Sequence, residues 1–379
     1  MKNDMHKLNK NMLELAIDDA ISIVRRNMKK WGNKIPISAD AGVYKQIDIN
    51  ASIELPGAFN WAVGCGPGIY WLCYAYTKDE SFSKTALEIS DLFKNIKTIR
   101  SQCQGILYMP VCMPAYRDFG SEKAKEILLK GADTLMDMFE PERNYFKAWG
   151  NINNFSVDSI INICILHRAS QMTGDSCYYD AALKHIDKEI ELLVRSDGST
   201  YNLADFDDKG VMMGYSSNHL LNGEGCWSRG HAWAMYGFAM HYKFTGKQQF
   251  LDCYKKLASY FLANLDEGFV PCWDLKLSNT GEAPDTSAAA IAVCSILEMS
   301  RLLPDDKLIS GFKQKADLIM YNLIKNYSVA YDNYIDALIL GGTYNIHANW
   351  YDEALIFGDY FYLEALVRYL KDDYESCWQ

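Results

Sequence analysis

The chain has 379 residues, 49% of them hydrophobic, enough for a large core in either two or three average domains or one large barrel. Its formal net charge is −10 and its isoelectric point about 5.3, which argues against nucleic acid or an anionic membrane as a partner. An anionic ligand would have to be recognised by particular Arg or Lys side chains, because the overall field repels it.

The opening stretch, MKNDMHKLNKNMLELAIDDAI, has no apolar core ahead of a cleavage site and is not a signal peptide. It leads into a helix from about Leu13 to Trp31, and residues 33–60, with Gly, Pro and Asp, read as an irregular connection. A recurring unit follows, in which an apolar, aromatic-rich helix runs through a polar turn into a more charged, amphipathic one. The turns at Thr77, Gly120, Gly174, Gly246 and Pro304 fall a few tens of residues apart, the mark of stacked supersecondary units. An inner ring of buried helices inside an outer amphipathic ring explains the asymmetry within each pair. The expected fold is all-α, an (α/α)6 barrel, with an open α-solenoid as the alternative. Phe357 to Leu370 supply the closing inner helix and must lie beside the first one. Strand signals are short and confined to loops, such as Phe269 to Trp273.

Only nine prolines and no Gly/Ser-rich linker or charge block point to a single domain over 1–379 with a short N-terminal extension. No apolar run reaches the length of a membrane span. Eleven cysteines without a CxxC pair fit reduced thiols in a cytoplasmic protein. The seven histidines show no ligand spacing, so neither metal nor cofactor is expected. Nothing in the sequence fixes the oligomeric state; monomer or dimer is expected.

The loops entering the inner helices carry glycines, tryptophans and lone charged residues, whereas the opposite turns carry ordinary solvated polar groups. Those loops are Trp61 to Gly68, Gln102 to Gly105, Trp149 to Asp158, Cys226 to His231, Pro284 to Ser287 and Gly358 to Tyr360. This asymmetry marks a pocket. Asp158 stands at the front of a strongly apolar helical run, Val157 to Leu166, with Asn162 four residues on and so on the same face. Two readings of Asp158 compete: a helix cap acting with Ser156, or a functional carboxylate in the pocket.

At this point the sequence resembles the unsaturated glucuronyl hydrolases. The similarity runs from Trp61 to Tyr369 and rests on WAVGCGPG (61–68), FKAW (146–149), VDSIIN (157–162), RSDGSTY (195–201), WSRGHAWAMYGF (227–238), DTSAAAIA (285–292) and FGDYFYLEA (357–365). The resemblance implies an (α/α)6 barrel and an oligosaccharide substrate with a terminal unsaturated uronyl sugar. It also implies hydration of a C4=C5 enol ether, with Asp158 as general acid/base. It places Trp61, Trp149, Asn202, His219, Trp227, Arg229 and Trp233 at the sugar site, with Arg229 facing the uronate carboxylate and the indoles stacking on rings. The chain departs from the family pattern at four places. Cys103 falls where the family has its second aspartate, Asn202 where it has a histidine, Leu220 where it has a glutamine, and His231 ends its Arg-Gly-Gln. Four readings follow: a hydrolase with one retained carboxyl, an enzyme of altered chemistry on a related glycan, a silent sugar binder, and a purely structural helical repeat.

Overall fold

The computed structural model describes residues 7–48, 61–97, 99–149 and 153–379. Helix α1 (Lys10–Trp31) is capped by the Asn9 side chain and buries Leu13, Ile17, Ala20, Ile21 and Val24 along one face. Residues 34–48, expected to be irregular, instead form an antiparallel hairpin of β1 (Lys34–Asp40) and β2 (Val43–Asp48). Its two-residue turn holds Ala41 (φ 48°) and Gly42 (φ 77°) in the left-handed region. Such a turn usually announces itself as Asn-Gly or Asp-Gly; Ala-Gly hides it. The rest of the expected connection, residues 49–60, lies outside the described residues.

Helix pairs follow in chain order: α2 (Cys65–Thr77) with α3 (Glu80–Leu92), and α4 (Gln104–Phe119) with α5 (Glu122–Met136). Next come α6 (Ser159–Asn162) running into α7 (Cys164–Thr173), paired with α8 (Ser176–Leu193). Then α9 (Ser228–Thr245) pairs with α10 (Gln248–Ala263), α11 (Thr286–Leu302) with α12 (Lys307–Asn326), and α13 (Ile356–Leu370) ends the series. Left-handed residues turn the chain where the sequence expects it: Lys78 (φ 60°), Gly120 (φ 66°), Gly174 (φ 76°) and Gly246 (φ 66°).

The first helix of each pair lies inside. α2 packs on α4, α4 on α6, α6 and α7 on α9, α9 on α11, α11 on α13, and α13 returns to α2. That last contact closes the ring and rules out the open solenoid, as expected for Phe357 to Leu370. α1 packs on α13, α2 and α12, completing the outer ring from the other end of the chain. The two rings make an (α/α)6 barrel around a buried cluster that runs from Leu13 to Trp378.

The run expected as one helix, Val157 to Leu166, is divided at Ile163 (ψ −3°) into α6 and α7. Asn162 lies at that break. Its Nδ2 donates to the Asp158 carbonyl at 2.8 Å and its Oδ1 accepts from the Ile106 amide at 2.8 Å. α4 can come this close because residue 105 is glycine; a Cβ there would overlap the Asn162 backbone.

The remaining strands are short. β3 (Phe139–Glu140) pairs with β4 (Tyr145–Phe146). β5 (Asn154–Ser156), β6 (Leu203–Phe206) and β7 (Met212–Ser216) form a three-stranded antiparallel sheet in that order. β5 delivers the chain directly to Asp158. Phe269–Trp273 forms no named strand; within it Cys272 makes an isolated bridge with Pro284. Among the described residues no helix is long and apolar enough to cross a membrane. All eleven cysteines are unpaired, and all but Cys177 are buried.

Candidate active site

At the end of the barrel where the inner helices begin lies a cavity of about 360 Å³. Its walls include Trp61, Cys103, Trp149, Asp158, His219, Trp227, Arg229 and Trp233, all expected at the site. Helix starts bring them together: Cys103 precedes α4, Asp158 precedes α6, Trp227 precedes α9, and Arg229 and Trp233 lie in the first turns of α9.

Asp158 occupies the residue before α6, yet its side chain makes no capping hydrogen bond. Its Oδ1 instead accepts from Gln102 Nε2 at 3.0 Å and from Ser156 Oγ at 2.7 Å. Both side-chain donors thus fall on Oδ1, and the Asp158 backbone amide adds a further hydrogen bond to the carboxyl. Burial pushes the carboxyl above the usual aspartate range, against the lowering effects of Ser156, Gln102 and then Arg229. The side chain therefore does not cap α6 and turns its raised carboxyl to the cavity.

Cys103 is 2% exposed. Its thiol is pushed well above the usual cysteine range, by burial first and then by the Asp158 carboxylate. A neutral thiol thus faces the cavity beside a single carboxyl.

Arg229 lines the cavity and is also engaged within the protein. Its side chain is 1% exposed and paired with Asp285 Oδ2, Nη1 to oxygen 2.8 Å, and Asp285 is itself fully buried. Nη1 also donates to the Thr343 carbonyl, and Nη2 to the Tyr344 carbonyl at 2.8 Å. The Asp285 Oδ1 meanwhile caps α11 through the Ser287 and Ala288 amides. One ion pair thus ties the start of α9 to the start of α11 and to the 343–344 loop. Arg229 still supplies positive potential to the cavity, but most of its donors are already used.

The aromatic walls are rigidly packed. Trp227 stacks on His219 with ring centroids 4.0 Å apart and planes at 12°. Trp233 meets Phe361 edge-on at 5.1 Å, and Trp61 lies 4.8 Å from Phe357. Burial and then Arg229 hold the His219 ring well below the usual histidine range, so it is neutral. Trp149 sits in the left-handed region (φ 50°), its amide bound to Gln102 Oε1 at 3.2 Å.

Two expectations fail. Asn202 does not line the cavity: it is buried, and its Oδ1 accepts from Ser217 Oγ at 2.7 Å. Ser217 Oγ in turn accepts from the His219 and Leu220 amides, both at 3.0 Å, so Asn202 braces the loop that presents His219. Asp359, expected at the pocket, turns away to the hairpin, where its Oδ2 accepts from Tyr44 Oη at 3.0 Å and its Oδ1 from the Ile339 amide at 3.1 Å. Sequence reasoning missed the Tyr344 to Trp350 loop, which lines the cavity with Tyr344, Asn345, Ala348 and Trp350, and Asn218, whose carbonyl accepts from Asn345 Nδ2 at 2.9 Å. The adjacent Trp350-Tyr351, shortly before the last inner helix, was the available signal.

Comparisons with known proteins identify the family. The Glycosyl Hydrolase Family 88 profile matches residues 37–299. The unsaturated chondroitin disaccharide hydrolase of Streptococcus agalactiae serotype III is 33% identical, covering 98% of this chain and 94% of its own. The unsaturated glucuronyl hydrolase of Bacillus sp. (strain GL1) is 31% identical over 94% of this chain and 96% of its own. A crystal structure of the S. agalactiae unsaturated glucuronyl hydrolase superposes with a TM-score of 0.90 at 31% identity, covering 98% of this chain and 95% of that one. An Asp-to-Asn variant of it, complexed with dGlcA-GalNAc6S, superposes with a TM-score of 0.85 at 30% identity, covering 99% of this chain and 95% of that one. With a matching profile over most of its length and relatives aligned nearly end to end, the chain belongs to Glycosyl Hydrolase Family 88.

Proposed function

We propose that this protein hydrolyses oligosaccharides bearing a 4,5-unsaturated uronic acid at the non-reducing end, with Asp158 as the general acid/base. The observation that carries the reading is the state of Asp158. Its carboxyl is raised by burial and anchored through Oδ1 by Gln102 and Ser156, in a cavity walled by Trp61, Trp149, Trp227 and Trp233. The protonated carboxyl gives its proton to C4 of the enol ether. Water adds at C5, delivering its own proton back to the Asp158 carboxylate. The hemiketal at C5 then collapses to a ketone, breaking C5–O5, opening the uronyl ring and leaving a hemiacetal at C1. That hemiacetal collapses to an aldehyde and expels the leaving sugar as an alcohol, its hydroxyl proton ending on the departing oxygen. The indole faces suit the apolar faces of sugar rings, and the Arg229 charge favours an acidic sugar. Relatives named for unsaturated chondroitin disaccharides make a glycosaminoglycan-derived disaccharide the first substrate to try.

Cys103 stands where the resemblance expects a second aspartate. A neutral thiol does not replace a carboxylate, so the chemistry here runs on one carboxyl. The same residue favours a second reading, a sugar binder without turnover. An unsaturated chondroitin disaccharide separates the two. Hydrolysis destroys the ultraviolet absorbance of the enol ether, whereas a binder raises the melting temperature and leaves the absorbance intact.

A further inference from the structure

We propose that Gln102 is a positioning residue that fixes which oxygen of Asp158 carries the transferred proton. The proposal rests on Asp158 being the acid, and it adds the group that aims it.

Gln102 lies just before α4 and is 1% exposed. Its amide spans two partners: Oε1 accepts from the Trp149 amide at 3.2 Å, and Nε2 donates to Asp158 Oδ1 at 3.0 Å. The orientation of a Gln amide is ordinarily a matter of assignment, but here the chemistry decides it. The Trp149 backbone N–H can only donate, so it must face Oε1, and Nε2 must then face Asp158. With Ser156 Oγ also donating at 2.7 Å, Oδ1 receives two hydrogen bonds. A proton placed on Oδ1 would oppose the Nε2 hydrogen head-on. The carboxyl therefore protonates on Oδ2, the oxygen to which neither side-chain donor is bonded. Gln102 thus couples a wall of the sugar site, Trp149, to the aim of the acid.

Other groups around Asp158 do not share this role. The titratable or charged side chains facing it are Cys103 at the start of α4, Glu189 on α8, Arg229 on α9, and His219 and Tyr344 from the loops around the cavity. None of them is hydrogen-bonded to its carboxylate among the described residues. Ser156 is bonded to it, but touches no wall of the cavity through that bond. Gln102 alone in this set connects the carboxyl to the Trp149 loop.

The substitution Gln102→Met keeps length and burial and removes both hydrogen bonds. Nε2 favours the ionised form of Asp158, so losing it raises the pKa of the acid. The alkaline limb of the pH profile of kcat/KM on an unsaturated uronyl disaccharide is expected to move up by about one unit or more. At the pH optimum kcat should fall roughly tenfold, more than KM changes, because the proton is no longer confined to Oδ2. Gln102→His, which can both accept from Trp149 and donate to Asp158, is expected to restore the limb and most of the rate. A purely structural role would lower the melting temperature and leave the alkaline limb in place, and that result overturns the proposal. So does Gln102→His matching Gln102→Met in both limb and rate. Asp158→Asn, measured alongside, keeps the two readings apart. If it remains active, the assignment of the acid itself fails; if it is dead while Gln102→Met leaves the profile unmoved, only the positioning role fails.

Discussion

The Arg229–Asp285 pair offers the sharpest separation between a structural and a ligand-binding cation. Arg229→Ala would leave Asp285 fully buried, without its 2.8 Å partner, and would strand the Thr343 and Tyr344 carbonyls. Removing one partner of a buried ion pair costs about 3–5 kcal/mol. Asp285 keeps its bonds to Ser287 Oγ at 2.5 Å and to the Ser287 amide at 3.1 Å, so the lower end, about 3 kcal/mol, is expected. Urea unfolding of wild type, Arg229→Ala, Asp285→Asn and the double variant would measure it. The double variant should be less destabilised than the sum of the singles by about 1 kcal/mol or more, because no uncompensated charge remains. Suppose instead that Arg229→Ala costs under about 1 kcal/mol yet abolishes the preference for a uronate over its methyl ester. Arg229 would then be a free ligand cation, and the account of its donors given above would be wrong.

Two further outcomes follow from the buried acids and thiols. Asp359 is pushed up to about 8, chiefly by burial, against hydrogen bonds from Ile339, Leu338 and Tyr44. A carboxyl raised on folding lends stability that is complete below its unfolded pKa, declines as the pH rises, and is gone above the folded value. Asp359→Asn should therefore gain in melting temperature relative to wild type between about pH 4 and about pH 8; a difference that stays constant over that range contradicts the burial argument. Cys103→Ala should keep activity within a few-fold, since the thiol is neutral. Cys103→Asp adds a like charge beside Asp158 and should move the alkaline limb of kcat/KM upward. Loss of activity in Cys103→Ala, seen in steady-state kinetics, would give the thiol a chemical role.

What the sequence made legible follows from local physics. Inner and outer helices differ in how much of their circumference is apolar, and glycines at the turns announce left-handed caps, so ring order and pocket end could be read in advance. The hairpin could not, because Ala41-Gly42 is an unusual carrier of its turn. Nor could the true partner of Arg229, since Asp285 lies 56 residues away and is brought close only by packing of α9 on α11. Asn202 is expected at the sugar by analogy of position, whereas its Oδ1 accepts from Ser217 Oγ. The Tyr344 to Trp350 wall has no periodicity to betray it. Gln102 is a polar residue in a short turn, and only the geometry shows that its two ends touch the acid and the Trp149 loop.

The central claim is that one carboxyl, Asp158, supplies the proton. Asn at this position still accepts from Gln102 and Ser156 through its amide oxygen, so the frame of the site persists while the acid is gone. The direct measurement is a single-turnover experiment with an unsaturated uronyl disaccharide, following the enol-ether absorbance for wild type and Asp158→Asn, with melting temperatures recorded on the same samples. The account predicts loss of absorbance in wild type, a rate at least about a hundredfold lower in Asp158→Asn, and ligand stabilisation preserved in both. Turnover by Asp158→Asn within a few-fold of wild type, or a wild type that is stabilised by the disaccharide but never consumes it, would contradict it.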